Sequence, residues 1–148
     1  MNALLDTCVL SEYAKRAPHA GVIAWLDMQP ESGLFISSLS LAEIEKGILK
    51  LAGTNASSDA SNAKRAKHLT VWLGKLTERF SDRTLPVDAA VWRVWAQQAA
   101  LAELQGQTIA PMDGLLMATA QCHGLTVVTR NVADFARYPQ VFNPWELV

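Results

Sequence analysis

Cysteine is scarce. Cys8 and Cys122 are the only two in 148 residues, and neither belongs to a C-x-x-C pair. That excludes a disulfide framework and a cysteine-built zinc or redox centre, and it fits a reducing compartment. A surplus of one charge is also lacking: 13 Lys and Arg stand against 14 Asp and Glu, for a formal net charge of −1. With no bulk positive field to grip a polyanion, phosphate binding must be local or metal-assisted. Long hydrophobic runs are missing too. The most apolar windows, such as residues 114–120, fall far short of the roughly 20 residues that span a bilayer. The opening Met1-Asn2-Ala3-Leu4-Leu5-Asp6 has no basic segment and reaches an acid at once, so no secretory signal is read there. The expectation is a cytoplasmic protein with no membrane attachment.

What is present suffices for a core. Half the residues are apolar or aromatic and 18% are charged, which argues against disorder, a collagen-like repeat or a coiled coil. The length suits one domain, taken as residues 1–148.

Short apolar runs alternate with longer helical patterns. Residues 2–5 read as a strand, and 11–16 as the start of a helix. Residues 19–28 carry Val22, Ile23, Trp25 and Leu26 at helical spacing, and 29–33 are a turn by composition. A second strand (34–37, LFIS) precedes Leu41, Ile44, Ile48 and Leu51, which recur at three- and four-residue steps and predict an amphipathic helix over 40–52. The low-complexity stretch 53–61 (GTNASSDAS) reads as a mobile loop between helices. Helical patterns follow over 62–80, 88–105 and 112–123, with a short strand at 84–87, and Gly124 stands where a left-handed residue closes a helix. Residues 125–129 (LTVVT) form the best strand, apolar and β-branched, and a small edge strand begins at 141. The alternation predicts an α/β/α sandwich around a mainly parallel sheet.

Ligands of such sheets bind beyond the carboxyl ends of the strands, and here those positions are acidic. Asp6 follows the first strand, Glu43 comes soon after the second, Asp113 opens the helix that leads into LTVVT, and Asp134 follows that strand beside Asn131. Converging carboxylates repel one another and call for a divalent cation; an oxygen-only ligand set selects Mg²⁺, or Mn²⁺, over zinc. Each acid also has a local structural reading. Ser40-x-x-Glu43 has the form of a capping box and Asn131-x-x-Asp134 resembles one, Asp113 suits a helix N-terminus, and Asp6 suits an N-cap or Asx turn. Periodicity does not single out Glu43, because Glu45 lies nearer the apolar stripe of its helix.

The surrounding residues are more specific. Leu5-Asp6-Thr7-Cys8-Val9-Leu10-Ser11-Glu12, Leu41-Ala42-Glu43-Ile44-x-x-Gly47, Met112-Asp113-Gly114-Leu115-Leu116-x-Ala118-Thr119-Ala120 and Val128-Thr129-Arg130-Asn131-x-x-Asp134-Phe135 resemble, in order, the four motifs of PIN-domain ribonucleases. The likeness covers essentially the whole chain and is closest to VapC-type toxins of the FitB-like branch, down to Asn143-Pro144-Trp145. It implies a PIN fold and a Mg²⁺-dependent endoribonuclease that acts as the toxin of a type II toxin–antitoxin pair. Asp6, Glu43, Asp113 and Asp134 would be the catalytic and metal-holding acids, Thr7, Thr129 and Arg130 supporting groups. Some relatives carry the fourth acid at the place of Asn131, whose amide oxygen could serve, and many have Asn where this chain has Cys8. Implied partners are an RNA substrate, a small VapB-like antitoxin and a second copy in a homodimer or higher assembly.

RNA contacts would come from local cations: Lys15, Arg16, Lys46, Lys50, Lys64, Arg65, Lys67 and Arg130. The five Trp sit mostly on apolar stripes and read as core or interface. Other chemistries lack their signatures. A haloacid-dehalogenase-type phosphatase needs an acid where Cys8 stands, a receiver domain needs a Lys where Thr129-Arg130 stands, a dinucleotide fold needs G-x-G-x-x-G after the first strand, and neither Cys has a nucleophile motif. The alternative kept is a catalytically inactive PIN-like module that binds RNA or protein.

Overall fold

A computed structural model describes residues 1–53 and 60–147. Five short strands, β1 (Ala3–Leu5), β2 (Leu34–Ser37), β3 (Thr84–Leu85), β4 (Thr126–Val128) and β5 (Val141–Phe142), form one sheet in the order β3-β2-β1-β4-β5. Every pairing is parallel, with Leu4 of β1 facing Phe35 of β2 on one side and Val127 of β4 on the other. The expected α/β/α sandwich is the observed one.

Side chains alternate across a strand, and the alternation divides this core in two. Ala3, Leu5, Leu34, Ile36 and Val128 face one cluster, while Leu4, Val127 and the partly buried Phe35 face the other. The first cluster is covered by α1 (Thr7–Glu12), α2 (Ala20–Met28), α3 (Ser38–Gly53) and α4 (Ala60–Arg79). The second is covered by α6 (Pro111–His123), against which α5 (Ala89–Leu104) packs. Both crossovers leave β1 at the centre. The strand order reverses between β1 and β4, and in an open parallel sheet that switch point opens a crevice beyond the strand ends.

Several elements begin earlier than their patterns indicate. The first helix starts at Thr7, directly after Asp6, instead of at residue 11, because the Asp6 carboxylate caps it: Oδ1 accepts the Thr7 N–H at 2.8 Å. The third starts at Ser38, with the Ser37 hydroxyl accepting the Leu39 N–H. Ser40 is therefore buried inside the helix and Ser40-x-x-Glu43 is not its capping box. Residues 29–33, read as a turn, include a 3₁₀ turn at Glu31–Gly33. Of the stretch 53–61, residues 54–59 lie outside the described residues, and Gly53, Ala60 and Ser61 are helical. Gly124 closes α6 in the left-handed conformation (φ 63°), as its position predicts.

The tryptophans divide between core and surface: Trp25 is buried, Trp72 and Trp145 are partly buried, and Trp92 is half-exposed. Trp25 is buried against Phe142, and Trp92 meets Trp95 edge-on. Among the described residues, no helix is long and apolar enough to cross a membrane.

Candidate metal centre

The switch point is where the chain brings its acids together. Asp6 leaves β1 with its N–H donating to the Val128 carbonyl of β4 at 3.0 Å, so its carboxylate stands at the seam. Thr129, fully buried just past β4, donates its hydroxyl to Asp6 Oδ2 at 2.8 Å, and the same hydroxyl oxygen accepts the Asn131 N–H at 3.0 Å. Thr7 extends the chain of contacts: its hydroxyl donates to Glu43 Oε2 at 2.7 Å. Two threonines thus tie Asp6 and Glu43 into one network that joins three segments, and these two acids are oriented by neutral donors instead of a neutralising cation.

Glu43 lies in the second turn of α3 and is half-buried, whereas Glu45 is exposed. The stripe argument that favoured Glu45 fails because α1 packs on α3 and covers the flank bearing Glu43. Asp113 sits in the first turn of α6, after Pro111. The next residue must be small. A Cβ at Gly114 would stand 3.0 Å from the Trp95 ring and 3.3 Å from Ile109 Cγ2, so the glycine lets α5 close onto the turn that carries Asp113. Asp134 lies in the 3₁₀ turn Val132–Phe135, with its N–H donating to the Asn131 carbonyl.

Asp113 reports the proximity of the others. Its carboxyl is pushed up to about 6, by burial first and then by repulsion from Asp134, Asp6 and Glu43. Among the described residues, no Lys or Arg forms an ion pair with any of the four acids. The donor set is all oxygen. It is an open set: among the described residues, no three His, Cys, Asp or Glu side chains are grouped so that they could hold a metal ion as they stand.

The remaining sequence candidates are spread more widely, Lys67 being exposed on α4. Cys8 Sγ lies 3.7 Å from both Asp6 Oδ2 and Thr129 Oγ1, and burial pushes its thiol up, an environment opposed to a thiolate nucleophile. Arg130 lies over the Trp145 ring, 5.4 Å from its centre. Lys15 pairs with Glu12 at 2.7 Å. Lys15 and Arg65 line a 300 Å³ groove that includes Glu43, and Arg65 is shared with a 600 Å³ groove lined also by Arg16 and Lys64. Lys46 and Lys50 line a separate surface hollow. On the opposite side of the acids, Asp113 and Asp134 border a cavity with Gln107 and Arg137. Sequence reasoning did not single out either of those two; nothing in their local spacing marks them.

Fold and site together define an α/β protein with an oxygen-only acidic centre at the switch point of a parallel sheet. The chain belongs to the PIN domain family, whose model matches residues 3–141. It is 36% identical over 144 residues to Toxin FitB of Neisseria gonorrhoeae, covering 96% of this chain and 97% of that protein. It is 32% identical over 144 residues to VapC ribonuclease Y4jK of Sinorhizobium fredii, covering 97% of each. The crystal structure of FitAcB from Neisseria gonorrhoeae superposes with a TM-score of 0.84 at 34% identity, over 98% of this chain and 99% of that one.

Proposed function

We propose that the protein is a Mg²⁺-dependent endoribonuclease and the toxin of a toxin–antitoxin pair. The observation that carries the reading is the group of four acids, Asp6, Glu43, Asp113 and Asp134, close enough for three to raise the fourth and paired with no cation among the described residues. The similarity to a VapC ribonuclease and to Toxin FitB supports both the substrate class and the toxin role, and with it a small VapB-like antitoxin as partner.

A phosphodiester meeting this centre alone would be repelled. Asp6 and Asp113 are the residues we assign to hold the ion directly, with Glu43 and Asp134 completing the set. Mg²⁺ needs only one or two carboxylates and keeps several waters, so acids that do not form a cage suffice. When bound, such an ion supplies charge neutralisation at the scissile phosphate and a water of lowered pKa as nucleophile. The chain's own part is orientation. Thr129 and the Thr7 N–H fix the two oxygens of Asp6, and the Thr7 hydroxyl fixes Glu43. No side chain is needed as a covalent nucleophile.

Antitoxin-free protein should cut total cellular RNA in Mg²⁺ and not in EDTA. Inert wild-type protein in both would favour a binding-only module. Thr129→Val keeps shape but removes the donor to Asp6 and the acceptor for the Asn131 N–H. We expect about 10- to 100-fold weaker metal affinity, read from the Mg²⁺ dependence of cleavage, because the loss of outer partners of metal ligands costs that much. An unchanged Mg²⁺ dependence would remove Thr129 from the site.

A further inference from the structure

We propose that the cavity on the Asp113 side of the acids seats the nucleotide flanking the scissile phosphate, with Arg137 binding that nucleotide's phosphate. This rests on the ribonuclease reading above. The cavity, of about 480 Å³, lies between the segment entering α6, α6 itself and the 3₁₀ turn after β4, and its lining includes Gln107, Ile109, Asp113, Met117, Asp134 and Arg137. That volume lies in the range of small-ligand sites. Asp113 and Asp134 border both the cavity and the acidic centre, so an occupant lies beside the reacting phosphate. Ile109, with Ala110, Ala133 and Ala136, offers apolar surface to a base, and Gln107 a side-chain amide.

Arg137 supplies the charge. Its Nη1 donates to Gln107 Oε1 at 2.6 Å and its Nη2 to Gln105 Oε1 at 2.9 Å. Both acceptors are neutral, and among the described residues no carboxylate pairs with Arg137, although the cavity contains two. Arg79 and Arg83, by contrast, each have a carboxylate partner. A guanidinium held by amides is oriented yet keeps its full charge, with donors to spare for phosphate oxygens. One cation beside a base-sized, partly apolar cavity suits a nucleotide better than an acidic peptide segment, which would also set its carboxylates against Asp113 and Asp134.

The test is steady-state cleavage of a single-stranded RNA oligonucleotide in Mg²⁺ by wild type, Arg137→Ala, Arg137→Lys and Gln107→Glu, at several salt concentrations. Arg137→Ala should raise KM about tenfold or more with kcat within about twofold, as for a lost charge-assisted contact made in ground and transition states alike. It should also lower the salt slope of kcat/KM by about one, and Arg137→Lys should restore that slope. Gln107→Glu leaves the arginine anchored but neutralises it, so KM should rise there too, even if Arg137→Ala folds poorly. KM and salt slope unchanged in Arg137→Ala and Gln107→Glu would overturn the proposal. So would lost antitoxin affinity at unchanged KM, which would give the cavity to the partner protein. Wild-type protein that cuts no RNA would instead overturn the ribonuclease reading beneath it.

Discussion

Asp113→Asn is expected to abolish RNA cleavage and, in the metal-free protein, to raise stability at neutral pH. The first half follows from removing a carboxylate assigned to hold the ion. Losing several kcal/mol of transition-state stabilisation lowers the rate by about a thousandfold or more. The second half follows from the electrostatics of the site. Burial and three neighbouring acids raise this carboxyl from an ordinary 3.8 to about 6. A carboxyl raised by folding stabilises the fold while protonated; that contribution is complete below the unfolded value and is lost as pH rises through the folded one. Asparagine stands in for the protonated form at every pH. Urea midpoints should therefore nearly coincide for the two proteins at about pH 4, and the variant should exceed metal-free wild type above about pH 6. Mg²⁺ should then raise the wild-type midpoint selectively, since a ligand stabilises only the state that binds it. A variant less stable than metal-free wild type at pH 7.5 would show that Asp113 is structural.

Arg83→Ala should be strongly destabilising, at about 2–4 kcal/mol by urea denaturation. The guanidinium is almost fully buried. Nη1 donates to the carbonyls of Glu31 and Leu34 at 2.7 and 2.8 Å, and Nη2 donates to Glu31 Oε1 and to the Arg79 carbonyl at 2.9 and 2.8 Å. It thereby joins the end of α4 to the start of β2, with its Cζ 4.5 Å from the centre of the Phe80 ring. Truncation removes the guanidinium donors of all three carbonyls, of which that of Glu31 keeps the Leu34 N–H. Arg83→Lys should recover less than half of the loss, since one ammonium cannot reproduce a planar fork. Glu31 adds a pH signature. Its carboxyl is held down to about 2, chiefly by the hydrogen bond from Arg79, against burial and with help from Arg83. The resulting stability is present above about pH 4.5 and fades as pH falls toward 2, and Glu31→Gln should flatten that part of the curve.

Much of this architecture is legible in the sequence, for physical reasons that differ by element. The strand at Leu34–Ser37 is legible to the residue because an apolar run between a proline-glycine turn and a helical pattern has few other solutions. Gly124 was legible because only the left-handed end of a helix needs it there. The start of the first helix was not, since Asp6 caps it while also standing at the switch point, and one side chain serving two purposes hides the boundary. Glu43 shows the limit of periodicity. A helix packed on two sides buries more than one stripe, so Glu43, which the motif carries, is half-buried against α1, while Glu45, which spacing prefers, is exposed. The bridges from Thr7 to Glu43 and from Thr129 to Asp6 span 36 and 123 residues and have no local trace. The same holds for the anchoring of Arg137 by Gln105 and Gln107.

The centre itself is tested most directly by titrating Mn²⁺ into antitoxin-free protein and following bound ion by electron paramagnetic resonance, with a DNA oligonucleotide present as an uncut stand-in for substrate. Wild type should bind Mn²⁺ in competition with Mg²⁺, while Asp6→Asn and Asp113→Asn, shown folded by circular dichroism, should each lose most of that binding. Binding of equal strength in all three proteins, or no binding by wild type, would contradict a metal centre built on these acids.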